Sequence, residues 1–287
     1  MRHYFCIVQI ILEINRTYLM IIETNRFLER INYSGKAASD LLTLQKLQRQ
    51  HIFNVPFENL DIYYKIPVLL DLRTIYNKVV INNRGGYCYE LNSLFCELLR
   101  SLGFTVSMIS GRVTSAKGGY GHEFDHMALA VEVADTKWLV DVGFGDFSLK
   151  PLAVDCGRVQ SDGRNKYRIM DNIYVNGKKY MSVEKWNEGR KIFQPEYIFT
   201  LIPHKLQDFA DMNDYQQTSP DSAFVRSLMC SLPTAEGRIS VVNNRIVKTI
   251  DGIKYPQTIK SDIHRQSIFR KYFNINFEIP EPILVER

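Results

Sequence analysis

The stretch from Tyr87 to Gly103 constrains the fold more than any other. Leu91, Leu94, Phe95, Leu98, Leu99 and Leu102 recur at three- and four-residue intervals, which puts them on one face of a helix. Gly103 stands where the left-handed residue that stops such a helix belongs. Ahead of it, Gly85-Gly86 makes a tight turn, so that Cys88 opens the helix. The chain has 287 residues, 45% of them hydrophobic, enough to bury such a stripe in a substantial core, as one large domain or two to three small ones.

Patterns elsewhere change along the chain. From about residue 24 to 103 the reading is helical. Ser39 is placed to cap a helix whose apolar positions include Leu41, Leu42, Leu44, Leu47 and Phe53, and a further helix is predicted over Leu72 to Val80. From about 105 to 186 the pattern turns to strands: Thr105 to Thr114, Met127 to Val133, Lys137 to Val142, Tyr167 to Met170 and Ile173 to Tyr180. Turns fall at Ala134-Asp135-Thr136 and at Asn176-Gly177. A strand at Tyr197 to Leu201, a helix from Asp208, more strands between Phe224 and Ile250 and a helix from Ser261 to Tyr272 follow. Helices, then antiparallel strands, then a mixture imply an α+β fold with three subregions.

The net charge of +5 comes without a long block of like charges or a dense basic and aromatic cluster, so no nucleic-acid partner is expected. Tyr4 to Leu12 is apolar but cut off by Glu13, Asn15 and Arg16. It is too short to span a bilayer and lacks a clean cleavage site, so no membrane partner is expected. Residues 1–22 read as an N-terminal extension, and Met20 is an alternative start. The five cysteines (Cys6, Cys88, Cys96, Cys156, Cys230) are odd in number, widely spaced and without a CxxC, which fits reduced thiols in a cytoplasmic setting.

Cys88 is the nucleophile candidate. At a helix start, unsatisfied N–H groups and the helix dipole favour an anion, and a thiolate is one. The same N–H groups suit an oxyanion. The ordinary alternative, a buried structural cysteine, suits mid-helix Cys96 better. A nucleophilic thiol needs a base, and the base an orienting group. His126 opens one strand and Asp141 closes the next, so a hairpin brings them side by side, and Asp141 in an apolar strand requires a partner. Cys88, His126 and Asp141 thus form a consistent catalytic set. His122-Glu123-Phe124-Asp125-His126 also matches the HExxH zinc-protease pattern, which works only on a helix. Gly118, Gly119 and Gly121 just before it and a β-alternating run just after it leave no room for one, so no metal is expected.

These residues resemble those of the arylamine N-acetyltransferases. The likeness rests on Arg84-Gly85-Gly86-Tyr87-Cys88-Tyr89-Glu90, His126-Met127 and Val140-Asp141-Val142-Gly143-Phe144-Gly145. Val55-Pro56-Phe57-Glu58-Asn59-Leu60 and the run Asn213 to Pro220, followed by Phe224 and Cys230-Ser231-Leu232, extend it. It begins near Phe27 and reaches the C-terminal helix, leaving residues 1–22 outside. The resemblance implies a helical domain (23–104) carrying the nucleophile, a β-barrel-like domain (105–200) carrying His126 and Asp141, and an α/β lid (201–287). It also implies a papain-like triad and ping-pong transfer from acetyl-CoA, through an acetyl-cysteine, to an arylamine, arylhydroxylamine or hydrazine. Backbone N–H groups near Cys88 and just before His126 are implied oxyanion donors. Phe57, Val113, Phe144 and Phe224 match the acceptor pocket, and Tyr215 and Ser222 match the segment facing coenzyme A. Asp125 departs from the small or hydroxyl residue common before the histidine. Such a carboxylate either raises the histidine's pKa or points into solvent.

The residues alone leave the acceptor open. The same acyl-enzyme serves a hydrolase when water attacks and a transferase when an amine does. Amide synthases that close macrocycles share the family pattern, and an inert binding protein would be expected to have lost the cysteine.

Overall fold

The computed structural model describes residues 22–115 and 118–280. Its N-terminal part comprises helix α1 (Thr24–Arg30), α2 (Leu41–Asn54), the short strand β1 (Phe57–Glu58), the single turn α3 (Leu60–Tyr63), α4 (Leu72–Tyr76) and α5 (Cys88–Ser101). The α5 stripe is as the spacing predicts: Leu91, Leu94, Phe95, Leu98 and Leu99 are fully buried, and Gly103 takes φ +87° just past the helix end. They join Phe27, Leu44, Leu47, Ile75 and Val79 in the largest core cluster.

Three helical expectations are corrected. Asp40, not Ser39, caps α2: its Oδ1 accepts the Thr43 N–H at 2.7 Å, because the cap must directly precede the first helical residue, Leu41. Leu42 faces outward and is 61% exposed. The helix from Leu72 widens after Tyr76 into a π turn at Asn77–Ile81, where Asn82 N–H reaches back five residues to Asn77 at 2.9 Å.

Strands β2 (Thr105–Val113), β3 (His126–Val133), β4 (Thr136–Val140), β5 (Leu152–Ala153), β6 (Gln160–Ser161), β7 (Lys166–Val175), β8 (Lys178–Asn187) and β9 (Ile192–Phe199) form one antiparallel, barrel-like sheet in the order β5-β4-β3-β2-β9-β8-β7-β6. The β3–β4 and β7–β8 hairpins turn on Ala134-Asp135 and Asn176-Gly177. Both residues of each pair are left-handed, matching the twist of paired strands. One side of this sheet packs Ile109, Leu139, Phe147, Tyr167, Tyr197 and Phe199 into a second core cluster.

The C-terminal part holds α6 (Ala210–Thr218), α7 (Ala223–Arg226), β10 (Met229–Thr234), β11 (Gly237–Val242), β12 (Arg245–Ile250), β13 (Ile253–Thr258) and α8 (Asp262–Phe273). The helix expected from Asp208 begins at Ala210, after a 3-10 turn over Leu206–Phe209. Phe224 lies on helical α7 rather than at a strand start, because the Ser222 hydroxyl caps that turn by accepting the Phe224 N–H. β13 lies beyond the strands expected between Phe224 and Ile250. The second sheet runs β1-β10-β11-β12-β13, so its edge strand comes from far upstream: Phe57 pairs with Ser231 and Glu58 with Cys230. Cys6, the apolar run near it and Met20 lie outside the described residues. Among those described, no helix is long and apolar enough to cross a membrane.

Candidate active site

Cys88 is the first residue of α5 and is 3% exposed. The turn before it is held from below. Glu58 N–H donates to Gly86 O at 2.9 Å, and a Cβ on Gly85 would fall 1.9 Å from Pro56 O, so only glycine fits there. The Glu90 carboxylate reaches back to the Tyr87 N–H at 3.2 Å, a capping bond that fixes the first helical turn. Glu90 belongs to a buried ion network. Its Oε1 meets Lys78 Nζ at 2.8 Å, Lys78 meets Asp61 at 2.7 Å, and Arg84 bridges Asp61 at 2.7 Å and Glu58 at 2.9 Å. Burial by itself would discharge these groups. The carboxylates nonetheless hold Lys78 and Arg84 above their ordinary values, and the two cations hold Asp61 below its own.

His126 opens β3, and Asp141 directly follows β4. The last β3–β4 pair is Leu129 with Val140, so continuing the register sets Asp141 opposite Ala128, diagonal to His126 and on its face of the sheet. His126 Nε2 lies 2.7 Å from Asp141 Oδ2. With Nε2 engaged by Asp141, Nδ1 is the ring nitrogen that remains open to a partner. Burial pulls the imidazole pKa down, but the charge and hydrogen bond of Asp141, together with Cys88, raise it to about 10. The three residues expected to act together are therefore together. A Cβ on Gly143 would sit 2.8 Å from Cys88 Cα, so glycine lets the end of the hairpin close onto the helix start.

Two further residues complete the site. Asn92, one turn beyond Cys88, donates to Asp141 Oδ1 at 3.0 Å and to Met127 O at 2.7 Å, and accepts the Val142 N–H at 3.0 Å. Tyr197, on β9, donates its hydroxyl to Asp141 Oδ2 at 3.1 Å while its ring lies 4.9 Å from the His126 imidazole. With the Gly143 N–H at 2.9 Å, the buried carboxylate has four protein partners. Asn92 was legible as the i+4 neighbour of Cys88. Tyr197 was not, because its approach depends on β2–β9 pairing, Val113 with Tyr197.

Phe144 packs edge-on to His126, with centroids 5.2 Å apart. Phe57 and Phe224 face each other at 6.2 Å, and Phe224 also meets Tyr87 at 5.5 Å. Phe57 and Phe144 border a small cavity of about 10 Å³ together with Asp141, Val142 and Phe147. Val113 ends β2 and gives its N–H to Asp125. Tyr215 packs edge-on against His122 at 5.2 Å. Ser222 is buried, its hydroxyl donating to Gln216 and capping α7.

The HExxH run is not helical, and its side chains diverge. His122 meets Tyr215, Glu123 bonds the Tyr180 hydroxyl and Lys178, Phe124 takes φ +64°, and Asp125 turns inward to Val113. Among the described residues no group of three or more His, Cys, Asp or Glu is arranged to hold a metal. The amides just before His126 are already engaged, Phe124 N–H with Ser110 Oγ at 3.0 Å and Asp125 N–H with His122 O at 3.4 Å. Burial lifts the Cys96 thiol to about 12, consistent with an inert core residue.

The sequence and the fold have counterparts among known proteins. A sequence model of the N-acetyltransferase family matches residues 40–281. The pineal gland isozyme of arylamine N-acetyltransferase from Gallus gallus is 30% identical over 282 residues, covering 89% of this chain and 95% of its own. The arylamine N-acetyltransferase of Escherichia coli strain K12 is 34% identical, covering 76% of each. Among solved structures, the arylamine N-acetyltransferase from Mycobacterium abscessus superposes with a TM-score of 0.82 at 25% identity, covering 90% of this chain and 91% of that one. Helix-borne thiol, hairpin-borne histidine and aspartate, family match and shared fold agree: the chain belongs to the arylamine N-acetyltransferases.

Proposed function

We propose that this enzyme transfers an acetyl group from acetyl-CoA to an arylamine, arylhydroxylamine or hydrazine by a ping-pong route through Cys88. The observation that carries the reading is the polarised line from Asp141 through His126 to a cysteine at a helix N-terminus. In the first half-reaction the Cys88 sulfur attacks the thioester carbon, N–H groups of the α5 first turn receive the oxyanion, and coenzyme A departs as a thiol with a proton from His126. In the second half-reaction the amine attacks the acetyl-cysteine, His126 takes its proton, and the amide leaves as the Cys88 sulfur is released. Asp141 keeps the imidazole in one tautomer throughout. No step calls for a metal.

Phe57, Val113, Phe144 and Phe224 are assigned to the acceptor wall, where aromatic faces suit a flat amine. Tyr215 and Ser222 are assigned to the coenzyme A side, Ser222 by shaping the α7 turn rather than by offering its hydroxyl, which is already bonded. A reducing, cytoplasmic setting suits an enzyme that works through a free thiol.

The test is intact-protein mass spectrometry after brief exposure to acetyl-CoA without an amine. The expected result is a gain of one acetyl group, lost on adding an arylamine and absent in Cys88→Ala, whose turnover falls by at least ~10⁴-fold. Full transfer activity in Cys88→Ala would sink the covalent route.

A further inference from the structure

The residue before the catalytic histidine has a structural role that the triad does not explain. Strand β2 outlasts its partner: its final pair with β3 is Gly111 with His126, yet β2 continues to Val113, held on its other side by β9. On the β3 side the chain between Gly121 and Asp125 takes over as a substitute rung. Gly121 N–H donates to Val113 O at 2.8 Å, and Val113 N–H donates to Asp125 Oδ1 at 2.9 Å. A carboxylate therefore stands where a ladder carbonyl would be, satisfying an N–H that would otherwise be left without a strand partner. Asp125 Oδ2 lies against Gly121, only 1.7 Å from where a Cβ would be, so the carboxylate fills this corner and does not extend into solvent.

We propose that Asp125 is a positioning residue for the acceptor half-reaction, tying Val113 on the acceptor wall to the backbone that carries His126. This rests on the triad and acceptor wall assigned above. The ionised carboxylate makes the stronger bond to the N–H, so the tie depends on charge. The groups facing Asp125 are Arg112 from β2, Glu123 from its own loop, His126 from β3 and Tyr89 from α5. Burial raises the Asp125 carboxyl to about 6, against the Val113 N–H, His126 and Arg112, which lower it. Protonation below that pH weakens the tie, so acceptor use declines on the acid side while acetylation of Cys88 does not share that limb.

The experiment compares wild type, Asp125→Ala and Asp125→Asn in two measurements. One is the single-turnover rate of Cys88 acetylation by acetyl-CoA, followed by mass. The other is steady-state kinetics for one arylamine from pH 5 to 8. Asp125→Ala is expected to raise the acceptor KM by about 5–10-fold, one lost hydrogen bond, with the acetylation rate within about twofold. Asp125→Asn keeps an oxygen acceptor without the charge. It should hold the acceptor KM at one pH-independent value between those of wild type and Asp125→Ala, with no limb near pH 6. An unchanged acceptor KM in Asp125→Ala, equal slowing of both half-reactions, or a wild-type acid limb in Asp125→Asn overturns the proposal. Should Asp125→Ala not fold, the pH profile of Asp125→Asn decides. A wild type that never acquires an acetyl group refutes the triad reading instead.

Discussion

Two buried polar networks flank the first turn of α5. On one side Glu58, Asp61, Lys78, Arg84 and Glu90 form a closed set in which each charge meets an opposite one within 3 Å. On the other side Asp141 is equally buried and takes bonds from His126, Asn92, Gly143 and Tyr197, but the set ends at Cys88, whose sulfur is free to form a bond. The first network spends its charges on holding a shape. The second gathers four bonds on the carboxylate that orients a single imidazole. A buried charge group is thus no evidence of catalysis until one member is found without a finished set of partners.

Substitutions can break this contrast or sharpen it. Asp141→Asn is expected to lower kcat by about 10⁴-fold with the fold retained, because an amide favours the wrong tautomer of His126. Circular dichroism alongside steady-state rates checks this, and a loss below tenfold would dissolve the contrast. Arg84→Met leaves Glu58 and Asp61 buried and short of a cation, at a cost of about 3–5 kcal/mol. Its effect should appear as a lower melting temperature, while kcat per acetylatable Cys88 stays near that of wild type. A drop in that normalised kcat would mean that the closed network also tunes the chemistry. Tyr197→Phe removes one of four bonds to Asp141 and should slow both half-reactions about tenfold, read as a fall in kcat/KM for both substrates. The smallest effect is thermal. The Asp125 carboxyl titrates at a higher pH in the folded chain than when unfolded, so its ionisation opposes folding above about pH 6 and has no effect below about pH 4. Asp125→Asn should therefore melt about 2–4 °C higher at pH 7.5, with the gain vanishing toward pH 4.

How much was readable from sequence follows the range of the interactions involved. The α5 stripe, the Gly103 stop, the hairpin turns and the three triad residues each rest on local periodicity or on one short hairpin. Asp141 facing His126 needed only a three-residue turn and the two-residue period of a strand. Asp40 displaced Ser39 because two adjacent residues both cap well and only the helix phase chooses between them. Tyr197 was invisible because its strand reaches β2 from more than eighty residues downstream, and no local signal reports that register. Asp125 stands out in the sequence as a departure, but its direction depends on the corner at Val113 and Gly121, which no local pattern reports.

The pairing of Phe57 and Glu58 with Ser231 and Cys230 bears on how the enzyme comes into being. Asn59, next along, donates to the carbonyls of Phe224 and Ser227 and accepts the Met229 N–H across 170 residues. Part of the proposed acceptor wall therefore depends on chain synthesised well after the strand and helix that carry Phe57 and Cys88. Cys88, His126 and Asp141 are all synthesised before that stretch, but the cleft proposed beside them gains one of its sides only once β10 has been made. A protein cut short after β9 would carry Cys88, His126 and Asp141 but lack the β10 edge on which Phe57 rests.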